Sequence, residues 1–524
     1  MKTNFLFIIA FFAYFIAYSN NIQVTNVGII NQNTTLDFSM IRFDISWQNS
    51  WRTSNLESNW DAAWVFVKYR RKWSNEWFHA YLHNTGHSAP SGCTLQPGLM
   101  NTSASFDSIT NPAVGVFVYR SSDGIGNISF NNIQLRWNYG VNGLADYDSV
   151  EVCVYAIEMV YIPQGSFYVG DNDMLNNSTS SGRFRRGDAD LPFQVTSEAA
   201  LTINNTSATE LWGTSTSGTN TIGGSGTLAA SFPKGYGAFY IMKYELSQYM
   251  YKEFLNKLTR TQQSSRTFIS VVGNYHCNSG GGCTSIQNRN GIRLISDPGG
   301  SLPRVFGNDL SGNLTPDESN DGQYIAHNWT SNDDLFAFAD WSGLRPYTEL
   351  EYEKVCRGTL VPLANERPWG NTNQTTATGI TNPGQTNEIA SPTSANIVLG
   401  NAPSVQGPLR SGNFARASSD REQAGAAYYG VLDMGGNLWE LIVSVGVPTH
   451  RTFQGNIHGN GNLNAAGNSD VSGWAPSLCY RGGSWGNTLP TTIHHTSDRT
   501  FASSVNPNNI RYSSVSIRLA RTSP

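Results

Sequence analysis

The sequence is poor in charged residues, with Asp, Glu, Lys and Arg making up only 14% of 524 residues and a net charge of −4. This balance provides no broad basic field, so we do not expect nucleic acid as a partner. After residue 20 no apolar run approaches the about 18 residues that a membrane-spanning helix requires. The chain also lacks a Cys-x-x-Cys pair, which argues against a cysteine zinc site.

The one long apolar run lies at the start of the chain. Lys2 precedes an apolar segment at residues 5–17, and small and polar residues follow it. A basic start with a short apolar run is typical of a secretory signal peptide. We therefore expect residues 1–20 to be a signal peptide and the mature protein to be secreted, extracellular or at the cell surface, without a membrane span.

Six cysteines occur in the sequence, and an even number in an exported chain favours disulfides. Spacing alone does not determine which cysteines pair. The pairs that we expect are Cys93–Cys153, Cys277–Cys283 and Cys356–Cys479.

Residues 21–156 are predicted to form an all-β sandwich domain. Short segments alternate apolar and polar residues, which indicates half-buried strands, and turn-forming residues separate them. The segments are 40–47, 62–69, 113–119, 133–137 and 150–155.

Three histidines in this region, His79, His83 and His87, recur every fourth residue. This spacing would place them on one side of a helix or a strand, where they could bind a metal ion. Residues 84–86, Asn-Thr-Gly, interrupt any helix, so we favour surface or turn histidines over a metal site.

Several motifs are found in the rest of the chain. Residues 430–440 read GVLDMGGNLWE, and residues 481–485 read RGGSW. Earlier motifs with recognisable spacing are 158–170, 232–247, 344–358 and 368–371. Together they resemble the formylglycine-generating enzyme, or sulfatase-modifying factor, family. The resemblance covers residues 157–524, with insertions at about 171–232 and 261–330.

The resemblance implies an α+β, loop-rich domain related to C-type lectins. Helices are also predicted from the residues themselves. Ser247 is a plausible N-cap, residues 334–343 are predicted to be helical, and Thr348 with Glu351 forms a capping-box pattern.

Members of this family use calcium to hold their loops. The resemblance places one calcium site at Asp433, Gly436, Leu438 and Glu440, and a hard cation does prefer carboxylate and carbonyl oxygens. The alternative is that the two carboxylates cap or pair structurally. A second site would start at Asn396 and Ile397, although residues 409–414, where its later ligands would lie, contain no acid.

Active family members hold copper(I) between two cysteines, and soft thiolates suit this ion. Here the first position is Asn487 and the second falls near Thr492, and no cysteine follows Cys479. We therefore predict no catalytic residues and no copper. Other metal ligands would have to come from His494, His495 or Asp498.

Two arginines of the family pattern are retained, Arg499 and Arg518, and Arg499 could form a carboxylate or backbone contact. The sequence thus predicts a secreted or cell-surface binding or structural protein on a catalytically silent domain. Glycans, peptides or copies of itself would be its partners. Two alternatives are an oxidase with altered metal ligands and a subunit of an extracellular filament or surface layer.

Overall fold

The computed structural model describes residues 21–172, 179–213, 222–400, 404–487 and 491–524. The predicted signal peptide, residues 1–20, lies outside the described residues. Strands are numerous and helices few. The first eight strands are β1 (Gln23–Asn33), β2 (Phe38–Arg52), β3 (Asp61–Arg71), β4 (Phe78–His79), β5 (Cys93–Leu99), β6 (Ala113–Arg120), β7 (Gly124–Trp137) and β8 (Val150–Ile162).

The remaining elements are shorter. The next are β9 (Phe167–Val169), β10 (Phe184–Arg186), β11 (Phe193–Val195), β12 (Leu201–Ile203), β13 (Leu211–Gly213), β14 (Gly226–Leu228), β15 (Phe239–Met242), α1 (Gln248–Leu255), α2 (Arg260–Arg266), β16 (Ile292–Ser296) and β17 (Val305–Asn308). The last are α3 (Asn332–Ser342), α4 (Glu349–Arg357), β18 (Gly379–Thr381), β19 (Ile389–Ser391), β20 (Glu440–Ile442), β21 (Cys479–Arg481) and β22 (Ala520–Thr522), with 3₁₀ turns at Pro448–His450 and Thr491–His494.

The N-terminal part contains two sheets that share a hydrophobic core. One sheet has the order β1-β2-β7, and the other contains β8, β3, β6 and β5. Alternate residues of β2 and β3 point into the space between the sheets, as the pleat requires. Core residues from both sheets include Ile41, Phe43, Ile45, Ala63, Val65, Val67, Val116, Val118, Ile133 and Leu135. The five strands predicted from alternation are confirmed, since each lies within one of these strands.

The larger sheet continues into the C-terminal part of the chain, with the order β22-β15-β8-β3-β6-β5. β8 pairs with β3 from Val150 to Val160 and with β15 from Met159 to Ile162. The domain division predicted at residues 156–157 falls inside β8. The two parts of the chain therefore share one hydrogen-bonded sheet.

One face of β3 points into the space between the two N-terminal sheets, and its opposite face packs against the C-terminal part of the chain. Trp64 is fully buried and its Nε1 donates to the carbonyl oxygen of Ser342 at 2.7 Å. Phe66 meets Trp341 edge-on, with ring centroids 5.2 Å apart. Because both faces of β3 are covered, its residues are buried without interruption from Asp61 to Tyr69.

The predicted helix starts are confirmed. The side chain of Ser247 accepts from the backbone N–H of Met250 at the start of α1. Thr348 and Glu351 form a reciprocal capping box at the start of α4, which satisfies two backbone donors. The helix predicted at 334–343 corresponds to α3, which begins two residues earlier than predicted, at Asn332, and ends at Ser342.

The predicted insertions contain regular structure of their own. The region 171–232 includes a four-stranded sheet of order β10-β13-β12-β14, and the region 261–330 includes α2 and the β16–β17 hairpin. The four strands have three residues each, too few to show a clear period in the sequence.

Only one of the three expected disulfides forms. Cys277 and Cys283 are bonded, as predicted, but Cys93, Cys153, Cys356 and Cys479 are free. The Cys93–Cys153 prediction is wrong because β3 and β6 separate β8 from β5, which puts the two cysteines at least about 14 Å apart. Moreover, they face opposite cores.

The Cys356–Cys479 prediction is also wrong, although both cysteines are buried in one hydrophobic cluster. The Cys479 thiol lies near Glu349 and Ser444, at the start of α4. Cys356 lies near the end of that helix, about 10 Å further along its axis at about 1.5 Å per residue. This separation exceeds what a disulfide can bridge.

Within the described ranges no helix is long and apolar enough to cross a membrane. The longest of them, α3, has 11 residues. Its length is about 17 Å, against about 30 Å for the hydrocarbon core of a bilayer.

Candidate functional site

The two motifs singled out in the sequence lie side by side. β20 pairs with β21, so that Glu440 is opposite Arg481. The carbonyl oxygen of Asn437 accepts from the backbone N–H of Trp485 at 2.8 Å. Residues 430–440 and 481–485 therefore form one local structure.

Left-handed backbone conformations bring the first motif into this position. Asp433, Gly436 and Asn437 have φ values of 59°, 77° and 54°. Glycine adopts such angles freely, and Asn and Asp tolerate them better than other side chains. A Cβ on Gly436 would also lie 2.4 Å from Ile397 Cγ1, so the close approach of these two segments requires glycine.

Glu440 is fully buried and both of its oxygens have protein partners. Oε1 accepts from Nε of Arg518 at 2.8 Å, and Oε2 accepts from the Tyr347 hydroxyl at 2.7 Å. The other nitrogens of Arg518 donate to the backbone carbonyls of Met242 and Leu432. The guanidinium is thus fixed in place by three residues, Glu440 and Leu432 of the first motif and Met242 of β15.

Two more carboxylates lie near this ion pair, those of Asp433 and Glu245. Asp433 accepts from the backbone N–H of Gly412 at 2.6 Å, and burial raises its pKa. Glu245 accepts from the backbone N–H of Leu438 at 3.0 Å and from the side-chain amide of Asn437. Burial raises the pKa of Glu245 well above its usual range, and the charges of Asp433 and Glu440 raise it further.

Glu245 is a residue of this site that sequence reasoning missed. It lies between β15 and α1, nearly 200 positions before the motif that it contacts. The only signal was an acidic residue in the apolar segment that leads into the α1 N-cap. A glutamate in such a segment has to find a buried donor, and here the donors are Leu438 and Asn437.

The residues predicted to bind calcium fit this ion in charge but only partly in arrangement. Three carboxylates lie near Arg518, and Arg410 acts on one of them, Asp433, so carboxylates outnumber cations here and a metal cation would relieve their repulsion. However, the oxygens of Glu440 already accept from Arg518 and Tyr347. In the part of the chain that the structure describes, no three His, Cys, Asp or Glu side chains are grouped to hold a metal ion. A calcium site would depend on backbone carbonyls of Gly436 and Leu438.

The second predicted calcium position, Asn396 and Ile397, has other partners. Asn396 Oδ1 accepts from the backbone N–H of Thr375 at 2.9 Å, and its amide donates to the carbonyl of Glu422. The carbonyl of Ile397 accepts from the backbone N–H of Ala377 at 2.8 Å. These bonds hold the segment against its neighbours.

The two positions that correspond to the family's cysteines are structural. Asn487 Oδ1 accepts from both the backbone N–H and the hydroxyl of Ser484, at 2.8 and 2.7 Å. The carbonyl of Thr492 accepts from the backbone N–H of His495 inside a tight turn. Neither side chain is a soft ligand, so the residues present do not fit copper(I).

The neighbouring histidines are buried and held separately. His494 Nδ1 donates to the carbonyl of Gly482 at 2.9 Å, whereas His495 Nδ1 lies 3.1 Å from the hydroxyl of Ser180. Burial lowers the pKa of each to about 4. Asp498 accepts from the backbone N–H groups of Ser181 and Thr500. His495 and Asp498 therefore contact neighbouring residues of one segment, Ser180 and Ser181, whereas His494 contacts Gly482.

A buried network of arginines and glutamates lies beneath the second motif. Arg499 forms two hydrogen bonds with Glu349, at 2.8 and 3.0 Å, which confirms the predicted carboxylate contact. Arg481 joins Glu349 to Glu353, with distances of 3.0 and 2.8 Å. Burial raises the pKa of Glu349, but Arg499 and Arg481 more than offset this, and the pKa lies below its ordinary value.

His79, His83 and His87 do not converge. His79 Nε2 bonds to the carbonyl of Val114, and His83 and His87 accept from the backbone N–H groups of Thr85 and Arg136. His79 is fully buried in β4, so the expectation of a surface or turn histidine is wrong for it, but the separate partners favour structural roles for all three over a shared metal site.

A comparison with protein families gives one match. The family described as the sulfatase-modifying factor enzyme 1-like domain matches residues 148–523, well over half of the chain. The match includes β8 and the residues of both motifs with their partners, but not His79, His83 or His87. No curated protein matches the chain.

Proposed function

The chain belongs to the sulfatase-modifying factor enzyme 1-like family, and from this premise we propose that it is a catalytically silent member. Its function would be to bind a partner or to build a structure outside the cell. The N-terminal strands would form a β-sandwich attached to a C-type-lectin-related domain. A fold of this kind does not by itself fix a reaction, so the proposal depends on the site.

The observation that carries the proposal is the replacement of both copper-binding positions. Asn487 stands where the family pattern has its first cysteine, and the second position falls near Thr492; the Asn487 side chain instead binds Ser484. The surrounding frame is retained, since Arg499, Arg518, Glu349 and Glu440 form buried pairs. A domain that retains its buried ion pairs but lacks the copper-binding cysteines is what we expect of a member with a binding or structural role.

Location outside the cell is supported by the apolar segment at residues 5–17 and by the Cys277–Cys283 disulfide. Disulfides persist in oxidising compartments. Fractionation of expressing cells, with detection of the protein in the medium or on the surface, tests this part of the proposal.

Calcium at Asp433, Gly436, Leu438 and Glu440 stays a proposal that the excess of buried carboxylates supports. Calcium should then raise the melting temperature of EDTA-treated protein, because binding to the folded state alone stabilises it. Glu440→Gln should abolish the increase, while Glu422→Gln, outside the cluster, should keep it. An equal response in both variants would refute this site.

Measurements of metal content and of activity test whether the protein is an enzyme. We expect the purified protein to contain less than stoichiometric copper and iron, and not to oxidise cysteine in a peptide substrate when copper(I) is supplied. The alternative oxidase predicts bound copper or iron that is lost on His494→Ala. Ordered polymers in electron micrographs would instead favour the filament or surface-layer role.

A further inference from the structure

A groove of about 910 Å³ lies where the first strands of the chain meet the passage from β15 into α1. Its walls are the start of β1, residues 154–158 of β8, the passage from β15 into α1, and residues 317–324. The volume is at the upper end of the about 300–1,000 Å³ typical of ligand sites. The motifs at 430–440 and 481–485 contribute no lining residue, whereas the motifs at 158–170 and 232–247 contribute Glu158 and residues between 242 and 247.

One wall of the groove is an open strand edge. β15 pairs with β8 only from Met159 onward, because the chain then turns away into α1. No strand of the described ranges pairs with this edge of β8 between residues 150 and 157. The carbonyl of Glu158 accepts from the backbone N–H of Lys243 on this side. By alternation, the N–H and C=O groups of Val154 and Ala156 point the same way, into the groove.

The side chains around the open edge are aromatic, apolar and acidic. Tyr155 and Met250 line the interior, and Tyr249 is 44% exposed. The rim carries Glu253, Asp317 and Glu318. A single cation, Lys252, also lines the groove, and its ammonium lies 3.1 Å from both Glu253 and Asp317. The rim therefore has more negative than positive charge.

A buried acceptor in the same wall also lacks a donor. Glu158 is 5% exposed, and its Oε2 lies 3.2 Å from the ammonium of Lys243. Its Oε1 is buried without a hydrogen-bond partner. Buried carboxylate oxygens rarely remain unpaired, so this oxygen is an acceptor for which the described residues supply no donor.

We propose that the groove binds an extended peptide segment rich in lysine or arginine, which adds to the open edge of β8 as a strand. The backbone of the peptide would pair with Val154 and Ala156. Alternate side chains would face the β1 side or the α1 side, and basic ones would meet the acidic rim. This inference names a partner class for the proposed binding function, but it depends on no residue of the copper or calcium positions.

The experiment uses the purified protein and two labelled peptides, four Val-Lys repeats and four Val-Glu repeats, in fluorescence anisotropy. We expect the basic peptide to bind at least about tenfold more tightly, as complementary charge predicts. A basic peptide N-methylated at alternate residues loses the donors for β8 and should also bind at least about tenfold more weakly. Equal binding of the basic and acidic peptides, or tight binding of the methylated one, would overturn the proposal.

Charge-reversal variants locate the site. Glu253→Lys with Glu318→Lys should remove the preference for the basic peptide. Glu151→Lys is the matched control, because Glu151 is exposed on β8 beside Arg70 and outside the groove. Loss of the preference in the control as well would show that net charge alone decides binding, and would contradict the groove.

Hydrogen exchange provides a readout that does not depend on any variant. The amides of Val154 and Ala156 should exchange more slowly once the basic peptide binds, whereas those of Tyr155 and Ile157 already pair with β3. Protection confined to other segments would exclude this edge. Copper content and activity are measured in separate experiments. Absence of peptide binding would therefore leave intact the proposal that the domain is catalytically silent.

Discussion

Arg518 reaches Glu440 across 78 positions of sequence, with Nε 2.8 Å from Oε1, and both side chains are fully buried. The pair joins the end of the chain to the first motif. It also places a permanent cation among three carboxylates, Glu245, Asp433 and Glu440. The arginine of the family pattern is therefore part of the electrostatic balance of this core, whether or not calcium binds beside it.

Replacing Arg518 with Met should destabilise the protein strongly. Removal of one partner leaves Glu440 buried and uncompensated, which costs about 3–5 kcal/mol. The midpoint of urea unfolding measures this loss. Arg70→Met is the control, since Arg70 pairs with Glu151 at the surface and should contribute about 0–1 kcal/mol. Similar losses in both variants would contradict the role of the buried pair.

Glu349→Gln should lower the free energy of unfolding most at neutral pH. Because Arg499 and Arg481 hold the folded pKa of Glu349 below its unfolded value, the stabilisation is complete above the unfolded pKa of about 4.3 and is lost as pH falls through the folded pKa. The variant should lose about 3–5 kcal/mol at pH 7. The difference in the free energy of unfolding between the variant and the unmodified protein should become smaller in acid, and urea unfolding at several pH values measures it. A difference independent of pH would disprove this account.

His494 makes the protein sensitive to acid in a higher pH range. Its folded pKa of about 4 lies below the unfolded value of 6.5, so the unfolded chain binds more protons between these values and stability falls as pH decreases through that window. The effect is at most about 3 kcal/mol. His494→Asn keeps a donor for Gly482 and should flatten the pH dependence of the unfolding midpoint. His83→Asn, at a partly exposed position, should change it little.

Alkylation can count the free cysteine thiols. Alkylation of the denatured but unreduced protein should modify four cysteines and leave Cys277 and Cys283 linked. In the folded protein Cys356 and Cys479 should react slowest, because both are buried and burial raises the pKa of each thiol. Peptide mass spectrometry identifies the modified residues. A mass for any linked pair other than Cys277–Cys283 would be inconsistent with the free thiols described.

Local features of this fold could be predicted from sequence because the physics that fixes them is local. Alternation identified β2 and β3, and the Thr348–Glu351 pattern identified the start of α4. Cys277 and Cys283 are close in sequence, so their pairing needed no knowledge of the fold. The Cys93–Cys153 prediction failed because it required the order of strands, which alternation does not reveal.

The candidate site was predictable only in part for the same reason. The motif residues Asp433 and Glu440 are recognisable, yet Glu245, which accepts from Leu438 of the motif, and Arg518, which binds Glu440, come from distant segments. The charge excess around Glu440 is a property of this assembly and not of any single segment. Likewise, the continuity of the sheet across β8 follows from pairing with β15, a strand of four residues with no distinctive pattern.

The sheet that joins the two parts also sets the order in which the protein can fold. It contains β3 at Asp61–Arg71 and β22 at Ala520–Thr522, and β15 lies between β8 and β22. Closing such long loops is entropically costly and slows folding. Completion of this sheet has to wait until Ala520–Thr522 are available to pair with β15. Until then the edge of β15 that this strand covers stays exposed, which favours aggregation of the partly folded chain.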